Sequence, residues 1–340
     1  MSHFAPGADW PAGARVHGGP DEHGAALHDF SSNSHGCGPC PAALSAVQRA
    51  DPSVYPDAGY TALRRDLAGF HGVDLQRVLL AGSASEFVFR ITALAAQLGL
   101  SSVRLPRHSY GDYAQAAAAW RLPVTDVAGK AQLRWSCDPS SPLGQPQDPS
   151  GSLADIHVLD RAYEPLRLDG ASAWSQQQLQ DVWQLWTPNK ALGLTGVRAA
   201  YVIAPPGQEA RAAALEALAP SWPLGAHGVA MLQGWAGREV QAWLAASLPS
   251  LREWKTAQIG VCGSLGWTCL PSEANFFCAR PVLPRGKTLQ QTLVDLRARG
   301  IKLRDTTSFG LPGHVRLAVL APMAQHALRD AWRELTGAVA

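Results

Sequence analysis

Val78-Leu79-Leu80-Ala81-Gly82-Ser83-Ala84-Ser85-Glu86 is four apolar residues, a glycine-serine turn and an acid, followed by the long apolar stretch 87–98. A short run of apolar residues ended by Gly-Ser is the pattern of a strand buried on both faces. The spacing after it predicts a helix over 86–98, opened by small residues that leave its first N–H groups unobstructed. Outward from this unit the pattern repeats. Helical periodicity covers 42–50, 60–71 and 113–119, and strand-like runs stand at 102–105, 156–159 and 199–203. Short buried strands alternating with helices predict an α/β fold, a mainly parallel sheet flanked by helices. Beyond residue 239 the pattern changes to a long helix through Trp254, strands near 275–277 and 314–319, and helices over 289–299 and 326–335. This predicts a smaller α+β domain at the C-terminal side. The expected division is an arm at 1–41, a large domain at 42–239 and a small domain at 240–340, with no internal repeat.

Composition narrows the function classes. The 340 residues suffice for a sizeable core, and 46% hydrophobic with 16% charged residues is a globular composition. Glycine and proline, 32 and 25 residues, stay below low-complexity levels. Twenty-nine basic against 27 acidic side chains give a net charge of +2, far from a nucleic-acid-binding surface. The longest apolar run is broken by Arg90, so no membrane span is expected. The opening lacks the basic start and apolar stretch of a signal peptide, and the expected location is cytoplasmic. The six cysteines are therefore expected to be reduced. Cys37-Gly38-Pro39-Cys40 has the C-x-x-C spacing, but the turn-like residues 31–36 before it supply no strand, so it is read as two loop thiols with neither a redox nor a metal role.

Lysine is scarce, five residues against 24 arginines, and one lysine has a distinctive setting. Lys190 lies in Thr187-Pro188-Asn189-Lys190-Ala191-Leu192-Gly193-Leu194-Thr195-Gly196-Val197-Arg198, a glycine-punctuated loop before a buried strand. An amine that bonds a carbonyl cofactor needs a partly desolvated site that backbone can approach closely, which glycines permit. Thirty residues upstream Asp160 ends an apolar strand and is followed by Arg161-Ala162-Tyr163. A carboxylate at the carboxyl end of a parallel strand faces the crevice where such sheets bind ligands. There it can pair with a protonated pyridine nitrogen.

With these residues in place the chain resembles the fold type I pyridoxal-phosphate enzymes of the aminotransferase class I and II group. Within that group it is similar to the branch holding histidinol-phosphate aminotransferases and the L-threonine-O-3-phosphate decarboxylases of cobalamin synthesis. The resemblance runs from His17 to about Leu335. It implies pyridoxal 5'-phosphate as cofactor, Lys190 as the lysine that bonds it, Asp160 as partner of the ring nitrogen and Tyr163 as donor to the ring hydroxyl. Arg198, eight residues after the lysine, matches the arginine on the cofactor phosphate, and Ala84 and Ser85 match the helix start that caps it. Thr187 belongs to the same cofactor-binding set. Tyr110 matches the aromatic stacked on the ring, and Tyr55 a tyrosine lent to the neighbouring subunit, which implies a homodimer with shared sites. One position departs from the pattern. Where the family has Asn-Pro-Thr-Gly this chain has Ser141-Pro142-Leu143-Gly144, and a serine hydroxyl reaches less far than an amide. No metal is implied.

Substrate anchors decide which bond of an amino acid such a cofactor breaks. Arg304 and Arg316, in segments that match the family's substrate-binding stretch, imply a small substrate with two anionic groups or with one phosphate gripped twice, and the expected partner is an amino acid phosphate. Val16-His17-Gly18-Gly19 and Asp29-Phe30-Ser31-Ser32-Asn33 resemble the arm of the threonine-phosphate decarboxylases, in which His17, Gly18 and Asn33 would close over the substrate. The expected activity is decarboxylation of L-threonine O-3-phosphate to (R)-1-amino-2-propanol O-2-phosphate. The alternatives are an aminotransferase on histidinol phosphate or another amino acid, and a catalytically impaired protein that keeps the fold.

Overall fold

The computed structural model describes residues 17–125, 132–147, 149 and 154–337. The arm carries β1 (His28–Asp29) and leads into α1 (Pro41–Gln48) and α2 (Thr61–His71). There follow β2 (Val78–Ala81), α3 (Ala84–Gln97), β3 (Val103–Arg104), α4 (Gly111–Ala119), β4 (Leu133–Cys137), β5 (Ile156–Asp160), α5 (Gln176–Gln180), β6 (Trp183–Trp186) and β7 (Ala200–Ile203). Three helices come next, α6 (Glu209–Ala217), α7 (Ala226–Ala236) and α8 (Arg238–Ser264). The chain continues with β8 (Thr268–Cys269), β9 (Phe276–Arg280), α9 (Leu289–Ala298), β10 (Ile301–Lys302), β11 (Arg304–Asp305), β12 (Val315–Ala318) and α10 (Pro322–Thr336).

The central sheet has the order β2-β7-β6-β5-β4-β3. Pairing is parallel from β6 through β5 and β4 to β3, while β7 runs antiparallel to both its neighbours. The expected fold class is found, with β7 as the exception to the parallel rule. Alternate residues of the strands enter opposite cores. Val78, Leu80, Tyr201 and Ile203 pack on one side, and Leu79, Ala81, Ala200 and Val202 on the other. The sheet is thus covered on both faces, which is why β2 and β7 are apolar at every position. Each fully buried Val, Leu, Ile or Phe contributes roughly 1.5–3 kcal/mol through removal from water.

The helix after β2 forms for the reason its sequence suggested. Ser83 Oγ accepts from the Glu86 amide at 3.0 Å, and the Glu86 carboxylate reaches back to accept from the Gly82 amide at 3.1 Å. Other spans differ from expectation. The helix expected to end at Trp254 is α8 and runs to Ser264, with Pro249 inside it. Its buried residues Val240, Leu244, Ser247, Leu251, Lys255, Gln258 and Cys262 form one stripe at three- and four-residue spacing, and that continuous packing outweighs the ladder bond lost at the proline. Strands β4 and β6 were not anticipated.

The second sheet, in the order β11-β12-β9-β8, is antiparallel throughout. The arm links the two sheets. It pairs β1 with β10, and Phe30 donates its amide to Lys302 O at 2.9 Å and accepts from the Ala318 amide at 2.7 Å. The His35 amide then donates to Lys190 O at 3.0 Å and the Cys40 amide to Leu192 O at 2.9 Å. Gly193 permits this approach, since its φ is +66° and a Cβ there would stand 2.5 Å from Gly38 O.

Candidate active site

The carboxyl ends of the parallel strands β4, β5 and β6 open on a cavity of about 860 Å³, the place where ligands of such sheets bind. Asp160, the last residue of β5, lines it and is 6% exposed. Its Oδ2 accepts from the Tyr113 hydroxyl at 2.7 Å and its Oδ1 from the Ala162 amide at 2.9 Å. Burial pushes the carboxyl above the usual carboxylate range, and the two donors and the Lys190 charge pull it back. The Lys190 amine stands 5.3 Å from the centre of the Tyr163 ring. Tyr163 Oη accepts from Asn33 Nδ2 at 3.2 Å. Lys255, Lys287 and Lys302 are paired with Asp169, Asp295 and Asp21, and Lys130 lies outside the described residues. Among the described residues Lys190 is the only lysine on the cavity wall.

One end of the cavity suits an anion. The first turn of α3 brings Ser83, Ala84 and Ser85 to the wall, where helix-start N–H groups have no intrahelical partner and the helix dipole is positive. Thr187, Thr195, Gly196 and Arg198 also line the cavity. Thr187 Oγ1 and Asn189 Oδ1 are buried there without a hydrogen-bond partner. Tyr110, the residue before α4, lines the wall with its hydroxyl 3.0 Å from Ser85 Oγ, and Ser141 joins it from the turn after β4.

The second sheet and the arm also contribute to the wall. Arg304 and Arg316 are direct partners in the β11-β12 ladder, and both guanidinium groups lie over the Phe309 ring, 4.7 and 5.4 Å from its centre. Burial and then the neighbouring Arg316 charge lower the Arg304 pKa to about 10. Arg316 donates to Ser31 O at 3.0 Å, and its Nε is buried without a partner. His17, Gly18, Gly19, Ser31 and Ser32 of the arm line the cavity too, the His17 ring standing 6.2 Å from that of Tyr110.

Two of the residues expected at the site are not on its wall. Asn33 is fully buried one layer behind, in a left-handed conformation (φ 54°), and acts on the cavity through Tyr163. Tyr55 is 78% exposed and stacks on Trp222 at 4.5 Å, away from the cavity of its own chain. Tyr113, Asn189, Ser31 and Phe309 were not singled out, though Ser31, Asn189 and Phe309 lie inside stretches whose pattern points to the site. The two thiols of the C-x-x-C are unpaired, Cys37 exposed and Cys40 buried beside the start of α1. Among the described residues no group of three or more His, Cys, Asp or Glu side chains could hold a metal, and no helix is long and apolar enough to cross a membrane.

The family described as aminotransferase class I and II matches residues 156–335, more than half of the chain and including Asp160, Lys190, Arg198, Arg304 and Arg316. The chain belongs to that family. Histidinol-phosphate aminotransferase of Rhodospirillum centenum is 27% identical over 334 residues, which cover 89% of this chain and 90% of that protein. Among solved structures, histidinol-phosphate aminotransferase of Sinorhizobium meliloti, in complex with pyridoxal-5'-phosphate, superposes with a TM-score of 0.71 at 20% identity, covering 91% of this chain and 90% of that one. L-Threonine-O-3-phosphate decarboxylase of Porphyromonas gingivalis gives 0.71 at 19% identity over 90% and 98% of the two chains.

Class I and II aminotransferases are pyridoxal-5'-phosphate enzymes, and the cavity of this member fits the cofactor. A buried carboxylate, an amine, a helix start and two buried polar atoms without partners are the donor and acceptor set that a phosphorylated pyridine aldehyde requires. When bound, the cofactor supplies an electron sink for charge left on the substrate's α-carbon.

Proposed function

We propose that this enzyme decarboxylates L-threonine O-3-phosphate to (R)-1-amino-2-propanol O-2-phosphate, a step of cobalamin biosynthesis. The α-carboxylate leaves as carbon dioxide, and a proton takes its place on the same carbon. The observation that carries this reading is the juxtaposed pair Arg304 and Arg316, two buried guanidinium groups side by side on one aromatic ring at the cavity wall. The two like charges repel each other, Asp305 offsets part of this at Arg304, and anionic groups of a substrate lying against the pair would offset more. Phosphothreonine brings a carboxylate and a phosphate. In this reading Arg316 orients the carboxylate and Arg304, with His17 and Gly18 of the arm, takes the phosphate, while Asn33 acts by holding Tyr163. Asp160 meets the ring nitrogen, Lys190 bonds the cofactor and later moves the proton, and Ala84, Ser85, Thr187 and Arg198 hold the cofactor phosphate. Tyr110 packs against the ring, and Ser141 faces its hydroxyl in place of the family's asparagine.

We further read the enzyme as a homodimer, because Tyr55 stands exposed on Trp222 and apart from its own cavity, where a second subunit can receive it. A second reading, transamination of histidinol phosphate, draws support from the identity of 27% over 89% of the chain to a protein of that name. A panel of phosphothreonine and histidinol phosphate with 2-oxoglutarate, scored separately for carbon dioxide release and for glutamate formation, decides between them. Carbon dioxide from phosphothreonine with no glutamate is the expected result. Glutamate formed from histidinol phosphate, with no carbon dioxide from phosphothreonine, would replace this reading by the second.

A further inference from the structure

We infer that Tyr113 is a positioning residue for the cofactor's ring nitrogen, its phenol holding the Asp160 carboxylate ionised and turned toward that nitrogen. The inference rests on the reading of Asp160 as the nitrogen's partner. Tyr113 sits in the first turn of α4, fully buried, with Tyr110 of the cavity wall edge-on to its ring at 5.7 Å. Among the described residues its hydroxyl makes one hydrogen bond, the 2.7 Å donation to Asp160 Oδ2. Trp135 of β4 stacks on the ring at 4.4 Å and 13°, so the phenol cannot swing away from the carboxylate.

The groups facing Asp160 come from four directions. They are Tyr113 from α4, Cys137 from the paired position on β4, Lys190 from the loop after β6, and the Ala162 amide. Cys137 adds no donor, because its thiol points to Pro139 O at 3.3 Å. Tyr113 is thus the only side-chain donor to Asp160 among the described residues. An ionised carboxylate accepts at both oxygens and accepts more strongly than the neutral acid, so a phenol donating to it favours the ionised form. Burial favours the protonated form of this carboxyl and the phenol's donation favours the ionised form, and a neutral acid stabilises a pyridinium poorly. Removing the phenol therefore acts on whatever proton the ring nitrogen carries, beyond any change in packing.

The test uses the full-length chain stripped of cofactor and titrated with pyridoxal 5'-phosphate and with its 1-deaza analogue, in which a C–H replaces the ring nitrogen. The native chain should prefer the natural cofactor. Tyr113→Phe, which keeps the stacked ring, should narrow that preference by about tenfold through weaker binding of the natural cofactor alone, the order of magnitude of one hydrogen bond to a charged group. Trp135→Leu, which keeps the phenol but frees its ring, should narrow it in the same direction by less. Asp160→Asn should abolish it. Equal weakening toward both compounds, or an unchanged preference in Tyr113→Phe, overturns the inference while the reading of Asp160 stands. A preference that survives Asp160→Asn removes the reading of Asp160 itself.

Discussion

Arg304 and Arg316 illustrate how much of the chemistry is decided at single residues. Each is buried, yet each has a hydrogen bond to the chain, Arg304 to Asp305 O and Ser308 Oγ and Arg316 to Ser31 O. Their positions are therefore set before a substrate arrives, and little rotamer freedom is lost on binding. Under the proposed function Arg304→Gln keeps the aromatic contact and loses the charge. The KM for phosphothreonine should rise by roughly ten- to a hundredfold, the effect of one charge-assisted pair, with pyridoxal-phosphate affinity unchanged. Equal losses for cofactor and substrate in a binding titration would place Arg304 in the cofactor site instead. The sequence discloses these arginines, Lys190, Asp160 and Arg198 because charged residues at strand ends and in glycine-rich loops have few structural reasons to be there. Tyr113 and Asn189 are not disclosed, since an aromatic on an Ala-rich helix and an amide in a loop look like ordinary packing and turn residues. Only the carboxylate above one and the missing partner of the other mark them.

At the scale of elements, the apolar strands β2, β5 and β7 are visible as uninterrupted runs, whereas β4 (Leu133–Cys137) and β6 (Trp183–Trp186) carry Arg, Ser or Gln where an exposed face would be expected. Those polar side chains are buried and bonded instead. Ser136 Oγ lies 2.9 Å from His157 Nε2, and Gln184 Nε2 donates to Leu179 O at 2.8 Å. Satisfied partners make such strands possible, and partners distant in sequence cannot be read from it. The arm is likewise opaque to periodicity, because loop-to-loop hydrogen bonds hold it. Gly193→Ala tests that junction. The new Cβ would meet Gly38 O at 2.5 Å and Pro39 Cα at 2.9 Å at a backbone conformation (φ +66°) that disfavours a side chain. Unfolding in urea should show a loss of about 1–3 kcal/mol, and cofactor binding should weaken because His35 and Cys40 no longer fix the Lys190 loop. A variant as stable as the parent would show that the arm and loop separate freely.

For the molecule as a whole, three histidines, His35 buried and His71 and His157 half-buried, join its parts. His35 of the arm lies 2.9 Å from Ser247 Oγ of α8 and packs on Trp243, His71 at the end of α2 lies 2.8 Å from Tyr201 Oη of β7, and His157 bridges β5 to β4 through Ser136. Burial lowers the pKa of His35 and of His71 to about 4 and that of His157 to about 3, with Arg161 adding to the effect at His71 and Arg134 at His157. The folded chain therefore keeps them neutral where the unfolded chain binds protons. Stability is full above the unfolded value near 6.5 and falls as the pH drops toward the folded values, by up to about 1.4 kcal/mol per pH unit for each histidine. Glu86 and Asp160, raised by burial, act in the opposite sense from the unfolded carboxyl value near pH 4 upward, inside the histidine window, so they offset part of the decline without reversing the contribution of three histidines. The urea midpoint should thus decline steadily from pH 7 to pH 5. His71→Gln and His157→Gln should each make the decline shallower, whatever they cost at pH 7. A midpoint that stays level down to pH 5 would mean that these imidazoles take up protons inside the fold, and that the contacts between arm, sheet and helices survive their charging.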